Sequence, residues 1–138
     1  MKKPQISLAL ALFLLATESA ICSENDLVGT WEFVSGEYTH GDGSTSEESA
    51  VEGVRALKVV SDTHFCLIAL WKNGTMNNAL GGTYEVEGDA YTERIEYAAH
   101  KNTMGLKGRF TYRLEKGQLR IEGTVGKATL KEVWRRVP

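Results

Sequence analysis

The sequence predicts an all-β fold, an eight-stranded antiparallel up-and-down barrel. Apolar and polar residues alternate with a period of two in short segments, and no segment keeps the 3.6-residue period of an amphipathic helix. Most connections between these segments are short and contain glycine or aspartate, which favours hairpins between consecutive strands. Closing such a meander into a barrel removes its two exposed edges. A two-sheet sandwich is the alternative, but it is typically built with long crossing connections that this pattern does not show.

The N-terminal segment has the pattern of a secretory signal peptide. Lys2 and Lys3 precede an apolar run at residues 6–16, which is too short to span a bilayer. Small residues follow at the two positions that signal peptidase requires, the second of them Cys22. A lipoprotein acylated on Cys22 is the alternative, but its site requires a small residue where Ile21 stands.

Removal of residues 1–22 leaves one domain, which we expect to comprise residues 23–138 of a secreted or periplasmic protein. No membrane-spanning segment is predicted after residue 22. The whole chain has 16 basic and 18 acidic residues, and this balance does not favour a nucleic-acid-binding protein. One cysteine, Cys66, remains after residue 22 and has no partner for an internal disulfide. The domain must therefore be stabilised by its hydrophobic core.

Eight segments show the alternation expected of strands. They cover residues 27–39, 54–61, 64–72, 79–87, 90–99, 107–115, 118–125 and 128–137. Two-residue turns at 61–62, 88–89 and 116–117 connect three pairs of them, and residues 126–127 separate the last two. No C-terminal helix is predicted after the eighth strand.

One connection, residues 40–53, is longer than the others and polar. We expect a mobile loop over the barrel mouth, because loops of this length in compact domains often act as lids. Ser44 and Glu47 have the spacing of a capping box, which predicts a short helical turn within the loop.

The third segment is apolar on both faces, unlike its neighbours. A barrel strand needs only one apolar face. We therefore expect the outer apolar face of residues 64–72 to be covered by another segment or by another molecule. A second copy of the chain, an extension of the first strand or the long loop could cover it, and a homodimer is one of the predicted partners. We expect Cys66, within this segment, to be a buried and unreactive thiol.

The inward-facing residues include polar groups that a barrel filled only for stability would exclude. Alternation places carboxylates and tyrosines among the apolar side chains, and an unpaired buried charge is costly. We therefore predict a cavity for a small hydrophobic or amphipathic molecule. The candidate ligand-binding residues are Phe33, Glu37, His64, Tyr84, Glu93, Tyr97 and Tyr112. In the alternative interpretation these polar groups lie at a wetted mouth or pair internally, as Glu132 could with Arg136.

Two other functions are compatible with the same interior. A desolvated Glu93 or Glu37 could act as general base beside Tyr97 or Tyr112, in an isomerase or cyclase for a hydrophobic substrate. A solidly packed barrel would instead be a protein–protein interaction module. The sequence has no nucleophile or phosphate-loop motif, so no catalytic residue and no cofactor are predicted. Its three histidines do not share a strand face, so no metal site is predicted.

The start of the first strand resembles that of a known superfamily. Residues 27–31, LVGTW, resemble the Gly-x-Trp opening of the calycins, which are the lipocalins and their relatives. In that superfamily the tryptophan closes the barrel floor, and an arginine near the end of the last strand packs across it. The resemblance implies these barrel-closing roles for Trp31 and for Arg135 or Arg136. Stacking of a guanidinium on an indole is also favourable in itself.

Other segments extend the resemblance over nearly the whole of residues 23–138. Residues 63–65, 81–84 and 88–93 resemble small lipocalin-like domains of secreted bacterial proteins. The resemblance implies a barrel that can hold a small ligand. The chain differs from typical lipocalins because no C-terminal helix, no middle Thr-Asp-Tyr motif and no disulfide pair are recognisable.

Overall fold

A computed structural model describes residues 25–138, so the predicted signal peptide lies outside the described residues. This part of the chain forms nine strands joined by turns. The strands are β1 (Gly29–Thr39), β2 (Thr45–Ser49), β3 (Arg55–Val60), β4 (His64–Leu70), β5 (Met76–Glu87), β6 (Ala90–Ala98), β7 (Lys107–Glu115), β8 (Gln118–Val125) and β9 (Ala128–Arg136). Within residues 25–138 no helix is of a length and hydropathy that would let it cross a membrane.

The strands form one antiparallel sheet that closes on itself. Their spatial order follows the chain from β3 to β9, and β9 then pairs with β1. Both β2 and β3 pair with the other edge of β1, β2 at residues 35–39 and β3 at residues 29–32. The two strands therefore share one position in the wall, and the barrel has eight positions. This confirms the predicted all-β, eight-stranded antiparallel barrel.

The segment at residues 40–53 is not the free loop that the sequence predicts. A tight turn joins β1 to β2, in which the amide of His40 donates to the Ser44 carbonyl at 2.7 Å. Thr45 to Ser49 is then extended and paired with β1, so the predicted helical turn is wrong. The physical reason is the length of β1. Its second half extends beyond β3, and β2 supplies the main-chain hydrogen bonds that this edge would otherwise lack.

The floor of the barrel is formed around Trp31, which is fully buried. Its Nε1 donates to the carbonyl of Leu27 at 2.9 Å. The guanidinium carbon of Arg136 lies 4.2 Å from the centre of the indole ring, and two of its nitrogens donate to main-chain carbonyls of the segment before β1. Arg135 lies outside the barrel and pairs with Glu32, with Nη2 and Oε2 2.6 Å apart. Of the two arginines that the resemblance offered, the structure places Arg136 over the tryptophan.

Two β-bulges change which side chains face inward. The register between β1 and β9 shifts between Phe33 and Ser35, and that between β5 and β6 shifts near Gly81. Beyond each shift the alternation is reversed. The predicted inward faces of Glu37 and Tyr97 are therefore wrong: Glu37 is exposed, and Tyr97 is 70% exposed on the outer surface.

An apolar surface, which we call the outer apolar face, extends across four neighbouring strands. It consists of Leu57 and Val59 on β3, Cys66 and Ile68 on β4, and Tyr97 on β6, with Gly81 of β5 between the last two strands. The four large side chains are 45–70% exposed. Cys66 is exposed as well, which corrects the prediction of a buried thiol.

Candidate ligand cavity

The barrel contains a cavity of about 290 Å³ above its floor. Most of its wall is apolar and includes Phe33, Ala56, Leu67, Ile95, Phe110 and Trp134. Polar side chains also line this space, among them Tyr38, Glu48, Lys58, Asn78, Glu93 and Glu132. Ligand sites in proteins have this character, apolar with a few converging polar groups, and this volume is near the lower limit of their usual range.

A buried ion pair crosses the cavity. Lys58 on β3 is 2% exposed and Glu93 on β6 is 4% exposed. The Lys58 Nζ lies 2.9 Å from Glu93 Oε1, and the Tyr91 hydroxyl donates to the same oxygen at 2.6 Å. Burial, followed by the charge of Glu93, raises the pKa of Tyr91 well above its ordinary value. The phenol therefore stays a hydrogen-bond donor to the carboxylate.

Aromatic rings surround the ammonium group of this pair. The Lys58 Nζ lies 5.4 Å from the ring centre of Trp134, 5.6 Å from that of Tyr91 and 5.9 Å from that of Phe65. Each distance is within the range at which a cation is attracted to the face of a ring. The rings and Glu93 together compensate the loss of hydration of the amine.

A second carboxylate, Glu132 on β9, faces the cavity close to this pair. The Tyr38 hydroxyl donates to Glu132 Oε1 at 3.0 Å, and the Trp134 Nε1 donates to Oε2 at 2.9 Å. Burial raises the pKa of Glu132 above its usual value, and the positive charge of Lys58 and the two hydrogen bonds oppose this rise. The internal pairing of Glu132 with Arg136 that the sequence left open does not occur, because Arg136 lies at the floor.

The position of Tyr38 depends on a glycine. The phenol of Tyr38 folds back over Gly36, and a Cβ atom at Gly36 would overlap its hydroxyl. Gly36 therefore makes room for the hydrogen bond from Tyr38 to Glu132. Burial and the charge of Glu132 raise the pKa of Tyr38, so this hydroxyl also remains protonated.

Strand β2 adds a third carboxylate at the cavity wall. Burial, and then the charge of Glu132, raise the pKa of Glu48, whereas a hydrogen bond with the Asn77 side chain lowers it. The neighbouring Asn78 Oδ1 is buried and accepts no hydrogen bond from the described part of the chain. An unsatisfied buried acceptor is uncommon, and a donor on a bound molecule would satisfy it.

The structure brings only some of the predicted ligand-binding residues to the cavity. Phe33 and Glu93 line it. Tyr112 is partly buried on the inner face of β7 and packs against the core. Tyr84 is buried, and its hydroxyl donates to the Ser61 carbonyl at 2.5 Å. His64 is exposed and hydrogen-bonds the Thr63 hydroxyl, whereas Glu37 and Tyr97 face outward as described above.

Sequence reasoning missed Lys58, which the structure places in the cavity wall. In β3 the inward residues are Ala56, Lys58 and Val60, while Leu57 and Val59 point outward. The more apolar set therefore faces solvent, and a pattern-based assignment selects the wrong face. Glu48 was missed because it belongs to the predicted loop. Within residues 25–138 no group of three or more histidine, cysteine, aspartate and glutamate side chains could hold a metal ion.

Two solved structures are similar to this chain. A crystal structure of a lipocalin-like protein from Bacteroides uniformis ATCC 8492 is 22% identical and superposes with a TM-score of 0.53, covering 81% of this chain and 99% of that one. A mutant of the fluorescent protein UnaG is 12% identical, with a TM-score of 0.41, covering 81% of this chain and 96% of that one. No curated protein sequence matches the chain. The first of these structures confirms the lipocalin-like fold, and it shows the fold alone.

The chain also matches a family defined by sequence. The model of the family described as "Domain of unknown function (DUF4488)" matches residues 26–138, which is nearly all of the part with a described structure. The chain therefore belongs to this family, and its own fold is lipocalin-like.

Proposed function

We propose that this protein binds a small hydrophobic or amphipathic molecule inside the barrel. The observation that carries the proposal is the cavity of about 290 Å³, whose apolar wall contains the converging side chains of Lys58, Glu93 and Glu132. Burying charged groups opposes folding unless they are paired, and an apolar filling of similar volume is often as stable or more stable. A binding role explains why these groups are present, because they can orient the polar end of a ligand.

The catalytic alternative has less support. Glu93, its candidate general base, is paired with Lys58 and Tyr91, and neither of these is a partner predicted for that chemistry. Of the other residues predicted for that chemistry, Glu37 and Tyr97 are exposed on the outer surface, whereas Tyr112 lies on the inner face of β7. The arrangement of the polar groups therefore supports a binding site better than a catalytic one.

Native mass spectrometry of the protein purified from its own host tests the proposal. We expect a population with a bound small molecule, which organic extraction removes. Protein with Ala56→Leu should carry less of this molecule, since Ala56 lines the cavity and the larger side chain reduces its volume. Ala99→Leu, at an exposed position, is the matched control and should retain it.

We also propose that the outer apolar face forms a homodimer contact through residues 64–72. Its support is the exposure of Leu57, Val59 and Ile68, which lie side by side on β3 and β4. Gel filtration with light scattering should then show a dimer for the natural sequence and a monomer for Ile68→Lys. A monomer at high concentration without the substitution would contradict the proposal.

Finally, we propose that the protein is secreted or periplasmic and that residues 1–22 are removed as a signal peptide. The support is the sequence pattern of a basic start, an apolar run and a small-residue cleavage site. The intact mass of protein from the host's periplasm or medium should correspond to a chain starting at Ser23. An unprocessed chain in the cytoplasm would contradict this location.

A further inference from the structure

Lys58 is an unusual group to find in the wall of a ligand cavity. Among residues 25–138 it is the only lysine that is buried, and it faces the cavity beside apolar and aromatic side chains. Exposed lysines such as Lys72 and Lys131 are hydrated and screened by solvent. A primary amine in an apolar, water-poor pocket is the arrangement with which proteins form Schiff bases with carbonyl compounds.

The partners of Lys58 supply the proton transfers that such a reaction needs. Glu93 Oε1 lies 2.9 Å from the amine nitrogen and can accept a proton from it. The Tyr91 hydroxyl, 2.6 Å from the same oxygen, holds the carboxylate in place. The geometry thus pairs a nucleophile with a base that a third group orients.

We propose that the cavity takes a small aldehyde or ketone and that Lys58 binds it reversibly as an imine. This inference rests on the proposed function, since it names the chemical class of the ligand of the same cavity. An apolar carbonyl compound suits the mostly apolar wall, and the volume of about 290 Å³ limits it to a small molecule.

The reaction balances without an oxidant or reductant. Glu93 accepts a proton from the Lys58 ammonium, and the neutral amine nitrogen attacks the carbonyl carbon. The new N–C bond gives a carbinolamine after a proton moves from nitrogen to oxygen. Glu93 then returns its proton to the hydroxyl group, the C–O bond breaks and water leaves. The products are an iminium ion on Lys58, one water molecule and the Glu93 carboxylate.

The product keeps the electrostatic arrangement of the Lys58–Glu93 pair. A cation on the nitrogen of Lys58 still faces the Glu93 carboxylate, so the number of buried charges is unchanged. The rings of Trp134 and Tyr91 can attract an iminium ion as they attract an ammonium ion. Imine formation therefore does not break the buried ion pair, which removal of either partner would do.

Reductive trapping tests the proposal. The protein is incubated with trans-cinnamaldehyde and sodium cyanoborohydride, which reduces an iminium ion to a stable secondary amine, and the labelled lysines are identified by peptide mass spectrometry. We expect Lys58 to carry at least about ten times as much label as the exposed Lys72 or Lys131. Lys131→Arg is the matched control and should leave the labelling of Lys58 unchanged.

Two variants remove the amine while keeping the interior balanced. Lys58→Arg keeps a positive charge beside Glu93, and Lys58→Met combined with Glu93→Gln removes both charges if the larger arginine prevents folding. Each should lose the preferential label at position 58. The natural protein should in addition bind cinnamyl alcohol, which has the same skeleton but forms no imine.

The alcohol separates failure of this inference from failure of the proposed function. Binding of cinnamyl alcohol without label on Lys58, or with label spread evenly over the lysines, would overturn the imine proposal and leave the binding function standing. No binding of the alcohol and no preferential label would overturn both. Preferential label on Lys58 supports both.

Discussion

The floor of the barrel and its cavity are both buried, but their polar groups are matched in different ways. At the floor, the nitrogens of Trp31 and Arg136 donate to main-chain carbonyls, whose positions the fold itself fixes. In the cavity, the hydrogen-bond partners that Lys58, Glu93 and Glu132 have within residues 25–138 are other side chains. The polar groups of the floor are therefore fixed by the main chain, whereas those of the cavity depend on one another.

The largest effect is expected at the floor. Trp31→Ala should lower the free energy of unfolding by about 3–5 kcal/mol, as truncation of large aromatic side chains in cores does. Trp71→Ala is the matched control, because Trp71 is 42% exposed, and its cost should stay below about 1 kcal/mol. Chemical denaturation measures both. Equal losses in the two variants would show that Trp31 does not close the barrel.

Breaking the buried ion pair should lower the stability of the protein strongly, and a second substitution should restore most of it. Lys58→Met leaves Glu93 buried without its partner and should destabilise the protein by about 3–5 kcal/mol. Adding Glu93→Gln removes the orphaned charge and should restore most of the lost stability. A double variant no more stable than Lys58→Met would mean that packing of the lysine chain, rather than its charge, dominates.

The two C-terminal arginines provide a smaller test of the floor. Arg136→Ala removes the contact with Trp31 and two charge-assisted hydrogen bonds, and should cost about 1–3 kcal/mol. Arg135→Ala removes only an exposed ion pair with Glu32 and should cost about 1 kcal/mol or less. If thermal unfolding ranked the two variants in the opposite order, the assignment of Arg136 to the floor would be wrong.

The smallest effect concerns the pH dependence of stability. Because burial raises the pKa of Glu132 in the folded state, folding favours its protonated form. Its contribution to stability is therefore present at pH values below its unfolded pKa and is lost as pH rises through the folded pKa. The groups that face it are Lys58 and Glu93 across the cavity, with Tyr38 and Glu48 on β1 and β2.

Denaturation at mildly acidic and at neutral pH measures this contribution. As the pH is raised from mildly acidic to neutral, Glu132→Gln should lose less stability than the natural protein, because the amide does not titrate. Glu122→Gln, at an exposed position of β8, should show the same pH dependence as the natural protein. A parallel pH dependence in all three proteins would show that Glu132 is not desolvated.

The sequence was most informative where structure is set by neighbouring residues. Alternation and two-residue turns predict residues 107–115 and 118–125, which are the observed bounds of β7 and β8. The turn between them contains Lys116 and Gly117, both with positive φ, as two-residue hairpins require. These features depend on local conformation and can be recognised without knowledge of the fold.

The cavity could not be predicted in the same way, because contacts between distant residues determine it. Lys58 faces inward with Ala56 and Val60 of β3, and its partner Glu93 lies 35 positions further along the chain. The bulge near Phe33 reverses the alternation that placed Glu37 inside. Phe33 and Glu93 were predicted correctly to face the interior because both precede the bulges in their strands.

Binding of cinnamyl alcohol to three purified proteins, measured by isothermal titration calorimetry, tests the central claim that the cavity holds a ligand. The natural sequence and Ala99→Leu should bind the alcohol equally, because residue 99 is exposed. Ala56→Leu should bind it about tenfold more weakly or not at all, since the leucine occupies cavity volume. Equal binding by all three proteins would place the ligand outside the barrel, and no binding by the natural sequence would contradict the account.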